Sequence, residues 1–199
     1  MTVRSLCACG GVLLLAAIWL LPLEHAAPRF PLHMVRHMVL VALAAPLLVL
    51  GFPALGRWFA ISPLIAAGLE FLLVWAWHMP AAHGLAYRLP MGFALEQASF
   101  LLAGLFVWAG CLRGATTGDA GQALAGAGGL LLTSMHMTLL GALLTLAPRD
   151  LYAGFCGTAP DAAGQSIGGM LMLAIGTPVY LLAGVALAAR ALSLREVPA

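Results

Sequence analysis

Six apolar stretches, each about as long as a bilayer is thick, alternate with short polar breaks along the chain. A helix crosses the hydrocarbon core of a bilayer with about 20 apolar residues. Every backbone N–H and C=O in lipid must be paired, which allows only helices or closed barrels. The Leu- and Ala-rich runs of this chain lack the alternation of apolar and polar residues that barrel strands show. We therefore predict an all-α fold, a polytopic transmembrane bundle of about six helices that forms one domain. The predicted helices lie near residues 5–23, 31–50, 61–79, 92–112, 125–147 and 165–189 of the 1–199 chain.

Composition excludes several other classes of protein. Hydrophobic residues make up 63% of the chain and charged residues only 8%, which leaves too little polar surface for a soluble globule of 199 residues. The nine basic residues are all arginines, and a net charge of +2, scattered along the chain, does not form a nucleic-acid groove. The chain has no HExxH or Walker pattern, and we predict that it is not an enzyme.

The first apolar stretch is compatible with a signal peptide and with a retained helix, because Arg4 precedes it and small residues follow it. Its length and Trp19 favour a retained helix. If the N- and C-termini are cytoplasmic, one more arginine lies inside than outside, which supports that orientation weakly.

The histidines gather at one side of the predicted bundle. His33 and His37 lie one turn apart at the start of the second helix, and His78 ends the third. With cytoplasmic termini, all three fall at the outer face. His136 lies in the fifth helix, about 16 Å below that face. Because ionisable residues inside a membrane are costly and by default mark a site, we predict a metal site here.

Methionine follows each of these four histidines directly. Imidazole with thioether is a ligand set that suits copper, and the thioether favours Cu(I). Glu96 is expected to accept a hydrogen bond from a ligand histidine, with Arg36 and Gln97 beside the site. The two remaining histidines, His25 and His83, are predicted to be loop residues. The predicted metal ligands are His33, His37, His78, His136, Met34, Met38, Met79 and Met137.

Glu70 is a further ionisable residue near the middle of the third predicted helix. Three roles remain open for it: a proton site, a partner for an arginine, or a protonated group bonded to a neighbouring helix. The four cysteines show no CxxC spacing, and we assign them no role.

Five blocks of sequence carry a resemblance to a known family. They are HMVRHMVLVALAAPLLVLGFP (33–53), WHMPAAHGLAY (77–87), LEQASFLLAGLFVW (95–108), MHMTLLGALLTLAPRDLY (135–152) and QSIGGMLM (165–172). In this order they resemble the CtaG family of membrane cytochrome c oxidase assembly factors. The family pattern has glutamine where this chain has Arg36, histidine at Gln97 and aspartate at Gly164.

The resemblance implies a role in copper supply to, or copper-centre maturation of, a haem-copper oxidase at the outer face of a bacterial inner membrane. It points to His33, His37, His78 and His136 as the site. The implied partners are the lipid bilayer and an oxidase subunit or another copper acceptor protein, and a homo-oligomer stays open. Two alternatives remain: a metal-free membrane assembly subunit, and a haem-binding electron-transfer protein with histidine axial ligands.

Overall fold

The computed structural model describes residues 2–25 and 28–196, and every regular element within those ranges is helical. In chain order the elements are α1 (Val3–Leu20), a 3₁₀ turn (Leu23–His25), α2 (Arg29–Met38), a π-helical turn (Val39–Ala44), α3 (Ala45–Gly51), α4 (Pro53–Trp58), α5 (Pro63–His78), α6 (Pro80–Arg88), α7 (Pro90–Thr117), α8 (Ala120–Leu146), α9 (Ala153–Cys156) and α10 (Ala162–Glu196).

Five helical segments of the described chain are long and apolar enough to cross a membrane. They are α1, the continuous run Arg29–Gly51, Pro90–Ala115 of α7, the whole of α8, and Ala162–Leu194 of α10. Helices α5 and α6 pass the same test as a pair, although they are bent by 73° at the break between them. Counting this bent pair as one span gives six, so the prediction of a polytopic bundle of about six helices is confirmed.

Proline determines where α6 and α7 begin. Pro80 and Pro90 each lie in the first turn of a helix, where the missing N–H is not needed. The residue before a proline is pushed out of the helical region, and both Met79 and Leu89 are extended. The sequence predicts a polar break between the helices near 61–79 and 92–112. That prediction is wrong, because α6 occupies most of this segment as a helix that turns sharply away from α5.

The π-helical turn at Val39–Ala44 has a cause in the sequence. The N–H of Ala45 bonds to the carbonyl of Leu40, five residues back. The next donor in this register would belong to Pro46, which has no N–H. The carbonyl of Val41 is therefore left without a backbone partner from its own helix.

Two other helices supply hydrogen bonds to this carbonyl. Trp108 Nε1 of α7 donates to Val41 O at 2.7 Å, and the hydroxyl of Tyr180 on α10 lies 3.0 Å from the same oxygen. The two rings are stacked, with centroids 5.1 Å apart. Because an unpaired carbonyl in the membrane costs several kcal/mol, this contact fixes the second span against α7 and α10.

Helices α8 and α10 pack through glycine. A Cβ on Gly169 would lie 2.7 Å from the carbonyl oxygen of Gly141 and 2.5 Å from Thr145 Oγ1. A helix contact this close is available only to residues without a side chain. Gly169 and Gly141 therefore set the distance between the last two spans.

Apolar side chains cover the outside of the bundle. Leu72 of α5, Leu143 of α8 and Leu182 of α10 are at least half exposed. On a soluble protein such a surface would aggregate, whereas in a bilayer it contacts lipid. The arrangement is that of a multi-pass membrane protein.

We predict that Gly169→Ala lowers the free energy of unfolding by about 1–3 kcal/mol, because the new methyl group must push backbone atoms of α8 away. The measurement is the thermal unfolding midpoint in detergent micelles. Gly68→Ala is the matched control, since a Cβ on Gly68 of α5 meets nothing within 4 Å. Equal midpoints for Gly169→Ala and the control would contradict the packing described here.

Candidate metal centre

His33 and His37 of α2 meet one carboxylate of α7. His33 Nε2 lies 3.1 Å from Glu96 Oε1, and His37 Nε2 lies 3.5 Å from Glu96 Oε2. The ring centroids of the two histidines are 4.3 Å apart, as expected for residues one turn apart on a helix. One ligand atom from each of the three residues lies within 4.8 Å of the other two, which is close enough to hold one metal ion.

His78 joins this group from the end of α5. Its ring centroid lies 5.6 Å from that of His37. His78 Nδ1 donates to the carbonyl of Val74 at 2.7 Å, and a carbonyl can only accept, so Nδ1 carries the proton. The buried Nε2 of His78 then presents a lone pair and has no hydrogen-bond partner among the described residues. This tautomer is the one that leaves Nε2 free to bind a metal.

His83 is also part of the group, and its prediction as a loop residue is wrong. It lies in α6, is only 2% exposed, and its ring centroid is 4.8 Å from that of His33. The sharp bend after α5 directs α6 back over His33. The signal that sequence reasoning missed is the pair Pro80 and Pro90, which delimits a segment typical of a short helix.

The immediate surroundings of Glu96 are polar on one side and aromatic on the other. Gln97 Nε2 donates to Glu96 Oε2 at 3.1 Å. Phe100 stacks on His37, with ring centroids 4.0 Å apart, and so fixes the plane of that imidazole. The guanidinium of Arg36 lies over the ring of Phe93 at 5.7 Å. Gln97 therefore contacts the carboxylate, whereas Arg36 packs beside the site.

Several ring nitrogens at this site are buried without partners. Both nitrogens of His37, Nε2 of His78 and Nδ1 of His83 have no hydrogen-bond partner in the described part of the chain. Buried polar atoms are nearly always paired, so each exception requires an explanation. These nitrogens belong to three imidazoles, and each neutral imidazole has one lone pair that a metal ion beside Glu96 could accept.

His136 does not belong to the close group formed by His33, His37 and Glu96. It is buried on α8, its ring packs against Phe71 of α5 at 5.4 Å, and neither of its ring nitrogens has a hydrogen-bond partner in the described chain.

The methionines adjacent to the histidines face other helices. Met34 and Met38 are fully buried, and Cβ atoms built on Gly168 and Gly176 of α10 would meet their side chains at 2.9 and 3.1 Å. Neighbouring helical residues point about 100° apart, so a residue next to a histidine that reaches α7 is directed elsewhere. Met79 is 61% exposed at the corner between α5 and α6.

Met137 lies on the same side as these two methionines. It is fully buried, and its Cβ would be 3.9 Å from a Cβ on Gly176. Met38 of α2 and Met137 of α8 therefore both lie against α10 at Gly176, whereas the imidazoles of α2 approach α7.

A cavity of about 550 Å³ opens onto the histidines. His33 and His83 line its inner end, and three arginines with two aspartates lie around it. The charged lining residues are Arg29, Arg36, Arg88, Asp150 and Asp161. The cavity gives a small ion a path to His33, whose side chain is 12% exposed.

Asp150 organises the loop that borders this cavity. Its carboxylate accepts hydrogen bonds from the backbone N–H groups of Tyr152 (2.7 Å), Ala153 (3.0 Å) and Asp161 (2.8 Å). Burial raises the pKa of Asp150, but these three donors outweigh it and hold the pKa below its ordinary value. The hydroxyl of Tyr152 in turn donates to the carbonyl of His78 at 3.0 Å, so the loop is fastened to the end of α5.

Residues 164–168 read GQSIG, which matches the GxSxG pattern of serine hydrolases. That pattern requires a sharp turn between a strand and a helix. Here the segment lies within α10, and Ser166 Oγ donates to the carbonyl of Thr145 on α8 at 3.0 Å. Ser166 is used as a contact between helices.

We predict that Asp150→Asn loosens this loop and removes its acid sensitivity. A carboxyl whose pKa is lowered by folding stabilises the fold above its unfolded pKa, near pH 4, and the stabilisation is lost as the pH falls through the folded pKa. Hydrogen exchange at the Tyr152 and Asp161 amides is the measurement. After correction for the intrinsic pH dependence of exchange, the protection of these amides should fall more steeply on acidification in the wild type than in the variant. Parallel pH profiles for the two proteins would contradict the assignment.

Comparison with known proteins identifies the family. A search of the curated proteins gives no significant match, and a search of the solved structures gives none either. The family model described as cytochrome c oxidase caa3 assembly factor (Caa3_CtaG) matches residues 1–193. This match covers nearly the whole chain and includes every histidine of the site. The chain therefore belongs to the family of caa3-type cytochrome c oxidase assembly factors.

Proposed function

We propose that this assembly factor carries copper, taken as Cu(I), and supplies it to a haem-copper oxidase while that enzyme is assembled. Membership of the family gives the role in oxidase assembly. The observation that carries the copper proposal is the set of buried ring nitrogens without partners around Glu96. Copper is the cargo of the site and leaves it again.

Imidazoles and one carboxylate form the proposed binding set. His33, His37 and Glu96 supply three ligand atoms within 4.8 Å of one another. His78 is the fourth candidate, because its Nδ1 donates to the Val74 carbonyl and its buried Nε2, in a ring 5.6 Å from that of His37, has no hydrogen-bond partner among the described residues. Imidazole suits copper in either oxidation state, so binding does not require the thioethers that face α10.

Exchange of copper with an acceptor requires a ligand that solvent can reach. His33 is the most exposed of the four candidates and lines the cavity, as does His83. We infer that copper enters and leaves through this cavity, with His33 and His83 binding it in turn. The acceptor would be an oxidase subunit or another copper protein that reaches the outer side of a bacterial inner membrane, with both termini of the present chain in the cytoplasm.

A metal-free assembly subunit is the second candidate. It is favoured by the contact of His33 Nε2 with Glu96 Oε1, a hydrogen bond that is satisfied without metal. Axial ligation of one haem by these histidines is disfavoured. The distance between ring centroids is 4.3 Å for His33 and His37 and 5.6 Å for His37 and His78. These distances leave no room for a porphyrin between the two rings of either pair.

We predict that detergent-purified protein loaded with Cu(I) under reducing conditions retains a stoichiometric amount of copper, and that the His33→Ala, His37→Ala double variant loses it to background. The measurement is elemental analysis after desalting. His25→Ala is the matched control, because His25 is exposed on the 3₁₀ turn, outside the site. Equal copper in the double variant and the wild type would overturn the copper proposal. No copper in any of the proteins would select the metal-free subunit.

The methionines provide a separate prediction. Because Met34 and Met38 pack against α10 and not toward Glu96, the Met34→Leu, Met38→Leu double variant should retain copper at the wild-type level. Leucine conserves volume and keeps this packing intact. A loss of copper equal to that of the histidine variant would instead make the thioethers ligands.

A further inference from the structure

A second buried polar cluster joins five elements on the inner side of the histidine site. At its centre is Glu70 of α5, which is fully buried and lies about 12 Å along the helix from His78. Thr133 Oγ1 of α8 donates to Glu70 Oε2 at 3.0 Å. The hydroxyl of Tyr180 on α10 lies 2.9 Å from Glu70 Oε1 and 3.0 Å from Val41 O.

The hydrogens available in this cluster can be counted. Four contacts are present: Trp108 with Val41, Tyr180 with Val41, Tyr180 with Glu70, and Thr133 with Glu70. The indole and the two hydroxyls each supply one hydrogen, and the Val41 carbonyl supplies none. Three hydrogens cannot fill four contacts.

We propose that the fourth hydrogen belongs to Glu70, which is a proton-binding site inside the membrane and is held as a neutral carboxylic acid. Glu70 Oε1–H then donates to the Tyr180 oxygen, and Tyr180 donates its own hydrogen to Val41 O. Thr133 donates to Glu70 Oε2, and Trp108 donates to Val41 O. With an ionised Glu70, the single hydrogen of Tyr180 would have to leave one of its two oxygen contacts unbonded.

The surroundings of Glu70 agree with a neutral acid. The two groups that contact its oxygens, Thr133 and Tyr180, are hydroxyls and do not neutralise a negative charge. The titratable groups that face it are Tyr180 from α10 and the buried Cys111 from α7, both of which become anions when they lose a proton. Helix α8 contributes the Thr133 hydroxyl and the π-helical turn contributes the Val41 carbonyl. An isolated carboxylate in such a place is costly, and a bound proton removes that cost.

The proton has a mechanical consequence for the histidine-bearing span. Val41 lies one turn beyond His37, and Pro46 leaves its carbonyl free for Tyr180. If Glu70 lost its proton, the Tyr180 hydroxyl would donate to the carboxylate and no longer to Val41 O. The carbonyl of Val41 would then keep only its hydrogen bond from Trp108. Protonation of Glu70 therefore adds the hydrogen bond from Tyr180 to Val41 O, which connects α5 and α10 to the span that carries His33 and His37. This inference does not depend on whether the histidines bind copper.

Infrared spectroscopy of the full chain in detergent at neutral pH tests the proposal. A protonated carboxylic acid has a C=O stretching band well separated from carboxylate bands, and the band shifts in D₂O. We expect this band in the wild type and in Glu96→Gln, the matched membrane carboxyl, and its loss in Glu70→Gln. Absence of the band from the wild type, or its survival in Glu70→Gln, would overturn the proposal.

Tyr180→Phe gives a second test that does not require Glu70 to be replaced. Removing the hydroxyl takes away the acceptor of the Glu70 proton, so the band should move to higher frequency, as for a less strongly bonded acid. An unchanged band would overturn the assignment of Tyr180 as the acceptor. Glu70→Gln should unfold close to the wild-type midpoint, because its amide donates to Tyr180 and accepts from Thr133 as the acid does. A large loss of stability in Glu70→Gln would indicate an ionised carboxylate that needs both donors.

Discussion

In the interior of a membrane every polar group must find its partner within the protein, and this constraint governs most of the structure. Helices satisfy it for the backbone. Where proline removes a donor, the freed carbonyl must be paired by a side chain from another helix. The carbonyl of Val41 is the example, since Trp108 and Tyr180 meet on it and connect three spans at one atom.

The histidine site departs from the same constraint, because only some of its ring nitrogens find a hydrogen-bond partner among the described residues. Around Glu70, counting one acid proton leaves every contact satisfied. Around Glu96, several imidazole nitrogens have no partner in the described chain. The Glu70 cluster is complete without a ligand, whereas the histidine cluster around Glu96 fits an ion. The two clusters lie along the same span, and Val41 connects them through a single helical turn.

The bend between α5 and α6 builds the outer end of the site. Because Pro80 ends α5 and starts α6, His78 and His83 lie on two helices that differ in direction by 73° and still reach the same group. The loop held by Asp150 covers this corner, and Tyr152 fastens it to the carbonyl of His78. The cavity between the corner and α2 is the route by which solvent reaches His33.

The sequence by itself determined the class of fold, a bundle of about six apolar spans, and the one-turn spacing of His33 and His37. Apolar length and the one-turn spacing of histidines are local properties, and local physics decides them. The partnership of Glu96 with a histidine was also predictable, although the sequence did not indicate that one carboxylate would contact two of them.

Only the tertiary structure decided which side chains share a site. His83 was predicted as a loop residue because Pro80 and Pro90 were interpreted as breaks, whereas they bound a helix that turns inward. Met34 and Met38 are next to histidines in sequence but pack against α10, because successive helical residues face different neighbours. The relative rotation and tilt of packed helices determine such contacts, and these follow from long-range packing that no local pattern encodes.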